Sequence, residues 1–130
     1  MASCSEEPAV KYPELHDRVE FTGPIYEREA LYKEYQTARV FVLPSRYEAS
    51  PLVGPEALCN GCRMILSDTI PPIKELTNDM RFGSVVKADD VESLRNGLIE
   101  ETRRDYSEQE GEEIALYASE TLSWDCICNR

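Results

Sequence analysis

Residues 40–61 read VFVLPSRYEASPLVGPEALCNG, and the fold turns on how this stretch is read. Arg39 to Leu43 is short, almost wholly apolar and closed by Pro44, the pattern of a strand buried on both faces of a parallel sheet. A loop through Pro44-Ser45-Arg46 then leads to a predicted helix from Glu56 to about Asn60, with Gly61 as its C-terminal cap. Open α/β sheets bind ligands outside the carboxyl ends of their strands, where helix N-termini offer free N–H groups to anions. Two carboxylates bracket this loop, Glu48 before the helix and Glu56 near its start. Carboxylates repel phosphate but accept strongly from neutral hydroxyls. A ligand with a diphosphate in the middle and a sugar at each end suits that arrangement. Two glutamates eight positions apart also arise readily by chance among 25 acidic residues, so the residues alone leave both readings standing.

Working outward, Arg18 to Thr22 alternates and is β-prone before the Gly23-Pro24 break, which predicts a strand ending in a turn. Glu27 to Ala38 places Leu31, Tyr35 and Ala38 at helical spacing. Met64-Ile65-Leu66 and Ser84-Val85-Val86 read as further buried strands. A short helix is predicted over Ile73 to Leu76, after Pro71-Pro72. Asp89-Asp90 opens another helix, with Val91, Leu94 and Leu98 on one face and acid at its start. Ser107-Glu108-Gln109-Glu110 is a capping box for a last helix through Ile114, Leu116 and Tyr117. Buried strands alternating with amphipathic helices predict an α/β fold with a parallel sheet.

The 130 residues suffice for one domain, and 42% hydrophobic content is globular. No apolar run is long enough to cross a bilayer, and Met1 to Glu7 has neither a basic start nor an apolar stretch. A cytoplasmic location is the expectation. A net charge of −11 repels phosphate backbones, which argues against nucleic acid as a partner. Much of the acid falls between Glu100 and Glu113, where a solvated helical face accounts for it. Five cysteines, an odd number, argue against a fully paired disulfide framework. Cys59 and Cys62 form a C-x-x-C, and Cys126 and Cys128 a C-x-C whose spacing suits zinc poorly. Cys59 falls at a helix end, where the dipole raises a thiol pKa and disfavours redox chemistry. The cysteines read best as small apolar packers, and neither metal nor cofactor is expected. His16, the only histidine, sits in a polar stretch and reads as a surface residue.

The run from Pro44 to Gly61 resembles the donor-binding motif of retaining glycosyltransferases with two Rossmann-like domains, family four in particular. That motif has a strand, P-S, a first glutamate, a second glutamate and then A-x-x-x-G. Other segments resemble the family in order along the chain: Val19 to Ile25, Arg63 to Asp68, Ile73 to Leu76, Gly83 to Val86, Asp90 to Leu94 and Leu122 to Asp125. The resemblance therefore spans about residues 18–126. It implies a partial Rossmann-like domain over 18–130, the C-terminal half of a GT-B enzyme, after a polar extension at 1–17.

By that resemblance Glu48 is the catalytic-site carboxylate, holding hydroxyls of the transferred sugar, and Glu56 holds the ribose of the nucleotide. Backbone groups of Ala49, Ser50 and Leu52 lie against the sugar and diphosphate, and Gly23, Pro24 and Ile25 flank the base. Arg46 is the nearby cation, for which a surface ion pair is an equal account. The chain departs from the pattern at three places. Ala49 replaces the usual glycine, and Pro51 lacks an N–H. Gly54-Pro55 interrupts the helix, so it is expected to begin near Pro55 and displace Glu56. Nothing before Arg18 resembles the two strands and the G-R-x-x-x-x-K-G loop that open this half in the family. The resemblance thus implies a sugar-nucleotide ligand and a partner chain, or self-association, to complete the sheet. A non-catalytic interaction or regulatory subunit is the alternative.

Overall fold

The computed structural model describes residues 12–15, 17–49 and 51–122. The chain divides into two compact units, Met1–Leu31 and Tyr32–Arg130. In the first, a 3-10 turn at Pro13–Leu15 leads into irregular chain. Helix α1 (Arg28–Thr37) begins here and runs on into the second unit.

The second unit holds the sheet. Its elements follow as β1 (Val40–Leu43), α2 (Val53–Cys59), β2 (Arg63–Ser67), α3 (Ile73–Thr77), β3 (Gly83–Val86), α4 (Val91–Arg103) and α5 (Glu108–Thr121). The strand order is β1-β2-β3, all parallel, with Val42 opposite Ile65 and Leu66 opposite Val85. This is a Rossmann-like α/β arrangement, three parallel strands flanked by helices, as expected. Each strand is within a residue or two of its predicted span, because an apolar run bounded by polar turns has little freedom in where it enters the core.

Burial follows from position in the sheet. The central strand β2 is buried along its whole length, whereas every residue of the edge strand β1 is half-buried. Met64, Ile65 and Leu66 are fully enclosed, together with Ala57 and Leu58 of α2, Leu76 of α3 and Ile114 and Ala118 of α5. Helix α4 lies so close to the sheet that a β-carbon at Gly97 would stand 2.6 Å from Cγ1 of Val86. Gly61, at φ +84, ends α2 in the left-handed region open to glycine. A β-carbon there would also meet the Gly111 carbonyl of α5 at 2.9 Å.

Asp90 caps α4 by accepting from the Ser93 N–H at 2.9 Å, and Ser107 caps α5 by accepting from Glu110 N–H at 3.1 Å. The second half of the expected capping box is absent. Glu110 instead turns to Arg63 Nη1, at 2.6 Å. Arg63 is almost fully buried in β2, where it also donates to Glu101 and to the Arg81 carbonyl.

Two expectations are corrected. Arg18 to Thr22 is not a strand. A ladder needs a partner backbone, and here the N–H groups of Arg18 and Val19 turn back to the Leu15 carbonyl instead. Val19 and Phe21 are left exposed. Helix α2 begins at Val53, two residues before Pro55. Proline is tolerated in the first turn because its missing N–H would have lacked an intrahelical partner there. The Glu56 N–H closes that turn onto the Leu52 carbonyl at 3.2 Å, so Glu56 is not displaced from the helix. Among the described residues no helix is long and apolar enough to cross a membrane.

Candidate functional site

The loops at the carboxyl ends of the three strands are tied to one another. Leaving β1, the Ser45 carbonyl accepts from the hydroxyls of two residues at the end of β2, Ser67 and Thr69, the latter at 3.1 Å. Asp68 connects β2 to β3, its N–H donating to the Val86 carbonyl at 2.8 Å and its Oδ1 accepting from the Ala88 N–H at 2.9 Å. Arg46 Nε reaches Asp89 Oδ1 at 2.7 Å. Asp89 sits in the left-handed region at φ 59, which aspartate tolerates better than most residues.

Glu48 stands on this rim. Its Oε1 accepts from Ser45 Oγ at 2.9 Å, and the residue is half-buried. Such a carboxylate has acceptor capacity left for hydroxyls arriving from solvent. Ala49 and Leu52 beside it are exposed; Ser50 lies outside the described residues. Arg46 is paired but open, with its side chain 81% accessible. An ion pair in that setting contributes little to stability, which agrees with the surface-pair account of this residue.

Glu56 is half-buried in the first turns of α2. Its carboxylate acts electrostatically on Tyr35 and Cys59 and makes no hydrogen bond among the described residues. In the same turn the Gly54 N–H is taken by the Pro51 carbonyl at 3.3 Å and Pro55 has none, so these positions offer no donor to an anion. Gly23, Pro24 and Ile25 belong to the first unit. Gly23 there adopts φ +65, with the Thr22 hydroxyl on its carbonyl at 3.1 Å.

Among the described residues a separate cleft lies by the start of β1 and the end of α2. It has a volume of about 660 Å³ and runs between Arg39, Cys59, Asn60, Tyr106 and Glu112. Glu108 also lines it. Parallel sheets place their chemistry at the carboxyl edge, and the tied loops around Glu48 are there. We therefore assign the candidate site to the carboxyl edge.

Among the described residues, Cys59 and Cys62 form no part of it. Burial pushes the Cys62 thiol up to about 11, and its Sγ donates to the Tyr35 carbonyl at 3.1 Å. Cys59 is raised by burial and then by Glu56. No group of His, Cys, Asp and Glu among the described residues is placed to hold a metal ion. Cys126, Cys128, His16 and the segment Ser123-Trp124-Asp125 lie outside the described residues. Sequence reasoning missed the hydroxyl cluster of Ser45, Ser67 and Thr69. Its signal was a serine or threonine just past the end of two successive buried runs.

Residues 7–119 match the family described as Glycosyl transferases group 1. Over 114 residues the chain is 31% identical to an exopolysaccharide phosphotransferase of Streptomyces coelicolor, a stretch covering 83% of this chain and 12% of that protein. Among solved structures it superposes on sucrose-phosphate synthase from Thermosynechococcus elongatus with a TM-score of 0.75. The identity there is 28%, over 93% of this chain and 30% of that one. The chain thus spans a minor part of either relative's length.

Proposed function

The chain belongs to the glycosyl transferases group 1 family, and from that membership we propose that it is the donor-binding half of a retaining, nucleotide-sugar-dependent glycosyltransferase. Its fold matches a glycosyltransferase GT-B domain. The observation that carries the proposal is Glu48, a half-buried carboxylate oriented by Ser45 on the carboxyl rim of a parallel sheet. Glu48 accepts hydroxyls of the transferred sugar, and Glu56 accepts those of the ribose. Backbone at Ala49 and Leu52 lines the sugar and diphosphate. As the glycosidic bond breaks, negative charge grows on the departing diphosphate. Backbone N–H groups and cations supplied by another part of the enzyme stabilise it, without a metal ion. Arg46 is held by Asp89 in this state, so it serves the diphosphate only if that exposed pair opens.

The free edge of β1 supports a further part of the reading. Among the described strands β1 pairs with β2 alone, which leaves one side of an apolar Val-Phe-Val-Leu strand for a strand from another chain or segment. The same edge favours the alternative, an interaction or regulatory subunit that keeps the fold without the chemistry.

Titration calorimetry with a panel of UDP-, GDP- and ADP-sugars separates the two, with a Glu48→Ala/Glu56→Ala chain as control. Saturable binding that the control loses is the expected result. A control that binds equally well removes the donor-site reading, and a folded chain that binds none of the panel leaves either a site completed by the missing strands or the interaction module.

A further inference from the structure

We propose that Ser45 is the positioning residue of the donor site, holding the Glu48 carboxylate in register through a hydroxyl clamp contributed by Ser67 and Thr69. The inference rests on the donor-binding reading of Glu48 and adds the residues that aim it.

The argument is one of hydrogen-bond accounting. A serine hydroxyl has one proton to donate, and Ser45 gives it to Glu48 Oε1 at 2.9 Å. A carbonyl oxygen has two lone pairs, and that of Ser45 accepts from both Ser67 Oγ and Thr69 Oγ1. The backbone of Ser45 is thereby fastened to the end of the neighbouring strand, while its side chain is committed to the carboxylate. Ser67 is itself buried within β2, only 1% exposed, so the clamp stands on the fully buried central strand of the sheet. Without it, Glu48 would ride on a loop whose other neighbours, Tyr47 and Ala49, are exposed.

Binding groups act by being held in place before the ligand arrives. A carboxylate already aimed by Ser45 accepts a sugar hydroxyl without first losing the freedom of an unrestrained glutamate. The clamp therefore improves affinity for the sugar portion of a nucleoside diphosphate sugar and leaves affinity for the nucleoside diphosphate unchanged. That difference separates positioning from a general role in stability.

The test is calorimetry on the full chain with UDP-, GDP- and ADP-glucose, each beside its free nucleoside diphosphate. The readout is the ratio of the two affinities for the nucleotide that binds. Ser45→Ala is expected to lower the sugar preference by about tenfold, the scale of one hydrogen bond to a charged group. Ser45→Thr, which keeps the hydroxyl, restores it, and Thr69→Val lowers it less because Ser67 still holds the carbonyl. In a Glu48→Ala background Ser45→Ala should have no further effect on the ratio. Equal weakening of sugar nucleotide and nucleoside diphosphate, or an unchanged ratio, overturns the proposal. Should Ser45→Ala fail to fold, Thr69→Val and Ser45→Thr carry the same comparison. A wild-type chain with no sugar preference at all defeats the donor-site reading itself, and the positioning role falls with it. A wild-type preference that survives undiminished in Ser45→Ala defeats the positioning role alone.

Discussion

Cys59 and Cys62 show how much surroundings outweigh spacing. A C-x-x-C suggests a redox pair or half a metal site, yet one thiol is exposed and the other buried. Cys62 donates to carbonyls at the end of α1, and burial raises its pKa to about 11, so almost none of it is thiolate at neutral pH. Cys59 is shifted in the same direction by partial burial and by Glu56 one turn earlier. Under native conditions at pH 7, iodoacetamide should modify Cys59 slowly and leave Cys62 intact. Peptide mapping of the 59–62 segment checks this. Cys62 labelling at the rate of a free cysteine would contradict the environment described for it.

Strand β2 carries an arginine where the pattern of the element asks for an apolar residue. Arg63 is 1% exposed and Glu101 3%, and the pair is completed by Glu110, Ser84 and the Arg81 carbonyl. Burial alone would raise the Glu101 pKa. Hydrogen bonds from Arg63 and Ser84, with the Arg63 charge, outweigh burial and hold the carboxyl below its ordinary 4.5. Glu101 and Glu110 raise Arg63 against its own burial, so it stays charged. A carboxyl depressed in the folded state stabilises the fold at pH values above its unfolded pKa, and that contribution is lost as pH falls through the folded pKa. Stability of the wild type should therefore decline below about pH 4.5. Glu101→Gln should cost roughly 3 kcal/mol at pH 7, because it leaves the buried Arg63 with poorer compensation. Its stability should change less than the wild type's below pH 4.5. Urea melts across pH 3 to 7 measure both effects, and parallel pH profiles for the two chains would exclude the assignment.

At the scale of the whole chain, β1 pairs on one side only among the described strands, and the net charge is strong. Edges of this kind invite pairing unless a charge, a proline or a covering element protects them, and Val40–Leu43 itself carries neither charge nor proline. A charge of −11 on each copy opposes self-association over distances set by the Debye length. The balance should tip with salt. In light-scattering chromatography the association of this chain should increase from low to 0.5 M salt, and Val42→Lys should suppress it. Monomers at every salt and protein concentration would show that the edge needs no partner.

The strands β1, β2 and β3, the caps of α4 and α5 and the glycine that ends α2 were all legible in the residues, because each depends on local patterning. Membership of the glycosyl transferases group 1 family was legible too, since its motifs occur in order along the chain. Pairing was not. The alternation of Arg18 to Thr22 describes a segment able to form a strand, but a strand exists only where another backbone completes its hydrogen bonds. Nor does sequence say which partner a polar group takes. Glu110 was placed to close a capping box and went instead to Arg63, forty-seven residues away along the chain. Ser45, Ser67 and Thr69 meet because parallel pairing puts the ends of β1 and β2 side by side. The tertiary structure alone decided those contacts, for they join residues that only the sheet brings within reach.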